Sequence, residues 1–210
     1  LMIPVNAAEQ NMIVGEWVHV TASDEAEPVL GTVAVEKLDA QTGQRVAGAT
    51  LRQTGPATST TVVWTGTSAT APVTVPNLPA GTYTLVETTA PSGYALNTTP
   101  VSGALAAGGT LSLRISNQPF GDIAVEKRDA VTGELVAGAL LQVREDFDGD
   151  GVWSAIGTVT STSTGPVVIE DQPADDYQLV ELVAPAGYAL NSAPVTGTLA
   201  WGDTLTLTVE

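Results

Sequence analysis

The 210 residues carry a net charge of −16, with 7 Lys plus Arg against 23 Asp plus Glu, so a phosphate backbone or an anionic membrane surface is repelled. Apolar residues make up 43% and charged ones 14%, which excludes disorder by composition and leaves enough to bury a core. There is no cysteine, so disulfides are excluded, and no apolar run reaches the ~20 residues of a membrane-spanning helix.

In chain order, residues 1–30 come first. VGEWVHVTASD (14–24) aligns without a gap onto AGGTLSLRISN (107–117), and Ile3–Pro4–Val5 resembles Thr99–Pro100–Val101. This segment reads as the last strands of a preceding unit, or as a donor strand that completes a neighbouring subunit head to tail through residues 1–24. No full signal peptide or C-terminal wall-sorting tail is evident, so the chain reads as a mature form or a fragment.

Residues 31–119 and 120–210 then repeat one another. GTVAVEKLDAQTG (31–43) returns as GDIAVEKRDAVTG (121–133), and YTLVETTAPSGYALN (83–97) as YQLVELVAPAGYALN (177–191). The offset grows from 90 (Lys37 to Lys127) to 94 (Glu87 to Glu181), which places a four-residue insertion between those two segments. Period-two alternation puts Val33, Val35 and Lys37 on one face, and likewise Ile123, Val125 and Lys127. Thr82–Glu87, Thr110–Ile115 and Thr204–Val209 alternate in the same way, and turn residues punctuate them at Thr42–Gly43, Ala80–Gly81, Pro91–Ser92–Gly93 and Gly108–Gly109. About seven short strands per ~90 residues predict an all-β fold of tandem Ig-like β-sandwiches.

The chain has only two lysines, Lys37 and Lys127, at matching positions of the two repeats. Both fall on the inward face. Lysine is rarely fully buried, because removing an ammonium from water costs several kcal/mol unless it is paired or neutralised. An apolar surround pushes a lysine down from ~10.4 towards a neutral, nucleophilic amine, and a carboxyl in the same core upward, so that it can shuttle protons. The third requirement is an amide or carboxyl carbon held against the amine.

Together, xVxVxKxD…YxLVExxAPxGY…LxLxIxN resembles the Cna B-type domains, also called SpaA-like or prealbumin-like, of Gram-positive adhesins and pilins. The resemblance implies that the first-strand lysine condenses with the last-strand asparagine, releasing ammonia, with the glutamate of the box as catalyst. Lys37 would then be the nucleophile, Glu87 the proton shuttle and Asn117 the acceptor; in the second repeat Lys127 and Glu181 match, while the acceptor position falls one residue beyond Glu210. In the N-terminal segment the acceptor position holds Asp24, a candidate that would lose water instead. The plainer readings are salt bridges from the two lysines to Glu87 and Glu181, Asn117 as a linker turn residue, Asn97 and Asn191 as turn caps, and Tyr94 and Tyr188 as core tyrosines.

Asp146, Asp148 and Asp150, followed by Gly151, begin like a calcium loop, but the twelfth position is Gly157 rather than a bidentate Glu and no helix pattern flanks it. A polar hairpin tip is the reading adopted, and no cofactor or metal is expected. Glu170, Asp171, Asp175 and Asp176 read as an acidic solvated loop. His19 is the one histidine, so Ser–His and Cys–His catalysis lack parts. Trp64 and Trp153 occupy similar places in the repeats as core or hairpin packing, and Trp17 and Trp201 fall on late strands. The expectation is a non-enzymatic, extracellular, cell-surface or wall-attached stalk or fibre subunit whose partners are neighbouring domains or subunits, with no nucleic acid and no membrane insertion. The rival readings are an adhesin module that recognises a host protein or glycan, and a transthyretin-like accessory domain of a secreted enzyme.

Overall fold

The computed structural model describes residues 27–56, 62–65 and 70–210, the 62–65 stretch by its backbone alone. The readings of residues 1–24 as partial unit or donor strand, of Asp24 as acceptor, of His19 and of Trp17 fall outside the described residues, as does the side chain of Trp64. Fourteen strands are present among them: β1 (Gly31–Asp39), β2 (Thr50–Thr54), β3 (Val62–Thr65), β4 (Val73–Leu78), β5 (Gly81–Thr89), β6 (Val101–Leu105) and β7 (Thr110–Asn117), then β8 (Gly121–Lys127), β9 (Leu140–Glu145), β10 (Ser154–Thr160), β11 (Val167–Gln172), β12 (Asp175–Val183), β13 (Val195–Leu199) and β14 (Thr204–Val209). Among the described residues no helix is long and apolar enough to cross a membrane.

Each repeat folds as two facing sheets. In the first, β4-β1-β7 faces β3-β2-β5-β6; in the second, β11-β8-β14 faces β10-β9-β12-β13. The alternation read from the sequence sets the faces: in β1, Val33, Val35, Lys37 and Asp39 are buried while the residues between them are half-exposed. The first core gathers Val33, Val35, Leu51, Tyr83, Leu85 and Ile115, and the second Ile123, Val125, Leu141, Tyr177, Leu179 and Val209. Each fully buried aliphatic or aromatic side chain contributes about 1.5–3 kcal/mol. Both core tyrosines keep a polar partner: the Tyr83 hydroxyl donates to Pro79 O at 2.8 Å and that of Tyr177 to Pro173 O at 2.9 Å.

The pairing that positions the site is β1 with β7. These strands, first and last in the repeat, run parallel, with Lys37 opposite Ile115 and Asp39 opposite Asn117. β8 and β14 repeat the arrangement, with Lys127 opposite Val209. Strand starts Gly31 and Gly121 must be glycine, because a Cβ there would lie 2.7 Å from Gly109 O and 2.6 Å from Asp203 O in the turn that crosses each strand. Those same carbonyls accept the neighbouring amides of Thr32 and Asp122 at 2.9 Å, which holds the first strand against the turn before the last one.

Trp201 differs from the sequence reading. It sits in the turn between β13 and β14 rather than on a strand, because Gly202 turns the chain there at φ 72°. Its ring lies 6.2 Å from that of Phe120, and its carbonyl accepts from the Gln41 side chain, so it bridges the junction between the repeats. Across that junction the linker runs along the Pro91–Tyr94 turn, with Ala95 N donating to Gln118 O and Phe120 N to Gly93 O, each at 2.9 Å.

Candidate functional site

Lys37, Glu87 and Asn117 are only 1%, 3% and 2% exposed. Lys37 and Asn117 come from the adjacent parallel strands β1 and β7, Glu87 from β5 of the facing sheet. One carboxylate meets both side chains: Glu87 Oε1 lies 4.0 Å from Lys37 Nζ, and Glu87 Oε2 accepts from Asn117 Nδ2 at 2.6 Å. Asn117 ends β7 as a buried strand residue, not as a turn residue of the linker.

The electrostatics bear on the lysine. Burial holds the Lys37 amine below the ordinary lysine range, against the pull of the nearby Glu87 and Asp39 carboxylates. Nζ keeps one donor contact, to Leu38 O at 3.1 Å, and lies 5.9 Å from the centre of the Tyr94 ring. Glu87 Oε1 and Asn117 Oδ1 are buried without a hydrogen-bond partner. Such orphaned atoms are rare in folded cores. The first of them is the oxygen that lies 4.0 Å from Lys37 Nζ.

Three further residues lie around this group; the sequence reading made Asn97 a turn cap and Tyr94 a core tyrosine, and gave Asp39 no role of its own. Asn97 N donates to Glu87 Oε2 at 2.8 Å, while its side chain donates to Ser116 O at 2.7 Å and accepts from Thr99 N at 2.9 Å. It caps the turn as expected, and it also aims the glutamate and clamps the strand carrying Asn117. Asp39 caps the turn after β1 by accepting from Gln41 N and Thr42 N, both at 2.8 Å, and takes the Tyr94 hydroxyl at 2.9 Å. Tyr94 is therefore half-buried beside the lysine and not a core tyrosine; Tyr188, bonded to Asp129 at 3.0 Å, is exposed. The available signal was the recurrence of KxD and PxGY at corresponding places of both repeats.

Burial pushes the Asp39 carboxyl up, but its donors outweigh this and hold it below the ordinary aspartate range. A depressed carboxylate stabilises the fold above its unfolded value of ~3.9 and loses that contribution as pH falls through the folded value. Tyr94→Phe removes one of these donors, a bond to a charged group worth about 1.5–3 kcal/mol. We expect a lower urea midpoint at neutral pH and an acid-unfolding limb moved to higher pH; an unchanged limb would show that the tyrosine does not hold Asp39.

The second repeat builds a matching half. Lys127 Nζ lies 3.4 Å from Glu181 Oε1, both side chains buried, and Glu181 Oε2 accepts from Asn191 N at 2.7 Å. Asn191 caps its turn through Ala193 N at 3.0 Å and donates to Glu210 O at 2.7 Å, as Asn97 does to Ser116 O. Elsewhere, Trp153 is half-buried and lines a surface groove with Asp176, Thr196 and Thr198, outside the core cluster of the second repeat.

The family model of the SpaA prealbumin-like fold domain matches residues 31–119 and again 121–210. No curated protein matches the sequence. Among solved structures, the Bacillus anthracis TIE protein is 21% identical with a TM-score of 0.43, over 87% of this chain and 34% of that one. The streptococcal ancillary pilin is 22% identical with a TM-score of 0.43, over 88% and 63%. The shaft pilin SpaA from Lactobacillus rhamnosus GG, as a double mutant, is 13% identical with a TM-score of 0.46, over 86% and 97%. The chain thus spans about a third of the first of these structures and under two thirds of the second.

Proposed function

Because the chain belongs to the family of SpaA prealbumin-like fold domains, we propose that it is a load-bearing stretch of a bacterial surface stalk or pilus, stapled in its first sandwich by a Lys37–Asn117 amide. The observation that supports this most is the convergence of a buried amine and a buried amide on the two oxygens of Glu87, at 4.0 and 2.6 Å. Neutral Lys37 Nζ attacks Asn117 Cγ, forming the Nζ–Cγ bond. The proton lost by Nζ passes to Glu87, and Glu87 delivers one to Nδ2 through Oε2. The Cγ–Nδ2 bond breaks and ammonia leaves. Amine and primary amide thus become secondary amide and ammonia, with Glu87 returned to its starting state. The reaction runs once per chain, so it is self-modification and not turnover of a substrate.

The fold gives the staple its mechanical meaning. Tension that enters at Gly31 and leaves after Asn117 pulls β1 and β7, which are parallel neighbours, past one another. An amide between Lys37 and Asn117 carries that load directly and shields the roughly 80 residues between them. Unfolding under force follows the unfolding rate, and here that route is closed covalently. An amide, unlike a disulfide, is not undone by thiol reductants, which suits a chain without cysteine.

Stretched end to end on single molecules, the wild-type chain should lack the extension step of the first sandwich. A Glu87→Ala chain should gain it, at roughly 270 Å for about 80 residues near 3.4 Å each. The same step in wild-type molecules would overturn the load-bearing reading.

A further inference from the structure

The four-residue insertion in the second repeat changes the chemistry of one hairpin. Between β2 and β3 residues 55–61 read GPATSTT, without an acid; between β9 and β10 the chain passes through Asp146, Asp148 and Asp150. Carboxylate oxygens of these three lie within 4.8 Å of one another. Asp148 and Asp150 are exposed, but Asp146 is only 7% exposed. Its Oδ2 accepts from Gly151 N at 3.1 Å, while its Oδ1 is buried with no hydrogen-bond partner. Leaving a buried carboxylate oxygen unpaired is expensive, and two further carboxylates close by add repulsion in a chain already at −16. A cation at the tip relieves both.

The geometry points to a calcium site made by Asp146, Asp148 and Asp150, independent of the crosslink. The donors are all hard oxygens, with no nitrogen or sulfur among them, which suits Ca²⁺ or Mg²⁺ and not a transition metal. Ca²⁺ accepts six to eight oxygens in a flexible arrangement, so water and loop carbonyls can complete a shell begun by three carboxylates, whereas Mg²⁺ demands near-ideal octahedral geometry. Gly149 and Gly151, at φ 70° and 84°, let this short loop fold back on itself. Because Gly157 stands where a bidentate glutamate would add two oxygens, the site belongs with weak extracellular modules, at a Kd of roughly 10⁻⁴–10⁻³ M. Its structural effect falls on β10, an edge strand that pairs only with β9, and on Trp153 just after the loop.

The test is titration of CaCl2 into the full chain at constant ionic strength, followed by calorimetry and by backbone amide shifts. The wild type should show saturable heat in that range, with shifts concentrated on residues 146–153. The exposed pair changed together, Asp148→Asn and Asp150→Asn, should weaken binding at least tenfold. Asparagine keeps the acceptor that Asp150 offers to Val152 N at 2.7 Å, so the urea midpoint in EDTA should not move. No saturable heat, an undiminished response in the double variant, or an equal response to NaCl would overturn the site. An equal response to MgCl2 would overturn its assignment to calcium.

Discussion

Glu87→Ala is expected to leave Lys37 and Asn117 unjoined and to lower the stability of the first sandwich by about 4.5 kcal/mol through loop-closure entropy alone, taken by analogy with a disulfide closing about 80 residues. For a domain of this size each kcal/mol moves the melting temperature by about 4–8 °C, so a drop on the order of 20–30 °C should follow. The physical reason is that one carboxylate touches both partners: remove it, and no group remains to take the amine's proton and return one to the departing nitrogen. Asn117→Ala separates the staple from the catalyst, since it keeps Glu87 and deletes the acceptor. Both variants should unfold at similarly low denaturant, and combining them should add far less than the sum of the two. Additive losses would indicate two ordinary core defects in place of one missing link.

The second large effect belongs to the other sandwich. Glu181→Ala leaves the Lys127 ammonium, 2% exposed, without the carboxylate 3.4 Å away. Breaking a buried pair from one side destabilises by about 3–5 kcal/mol, whereas replacing both members with apolar residues of similar volume is often neutral or better. Lys127→Met with Glu181→Leu should therefore recover most of what Glu181→Ala loses. A double-mutant cycle by urea unfolding measures the coupling. A loss below about 1 kcal/mol in the single variant, the size of an exposed pair, would show that the two groups do not hold each other as charges.

Much of this architecture was legible because the repeat is a second copy of the same evidence of pattern within one chain. Period-two alternation through Val33, Val35 and Lys37 placed the lysine inward, and its recurrence at Lys127 argued against accident. What local pattern could not supply was the partner of β1. Strands about 80 residues apart leave no mutual periodicity, so the parallel β1–β7 register, which sets Asn117 two residues ahead of Lys37, is not written in the alternation, and at the level of sequence only the family resemblance pointed to Asn117. Tyr94 was misread as core because it follows Gly93 at φ 78°, where the chain leaves the alternation that makes Tyr83 a core residue. Trp201 was misread for the same reason, one residue before Gly202. Asp146 looked like solvated hairpin chemistry, yet it directly follows the end of β9 and has one oxygen enclosed.

The most direct measurement is protease mapping of the purified wild-type chain alongside its intact mass. Covalent joining of the two strands predicts a mass lower by one ammonia and a branched peptide that carries Lys37 on one arm and Asn117 on the other. A full-mass chain that yields only linear peptides across both residues would contradict it.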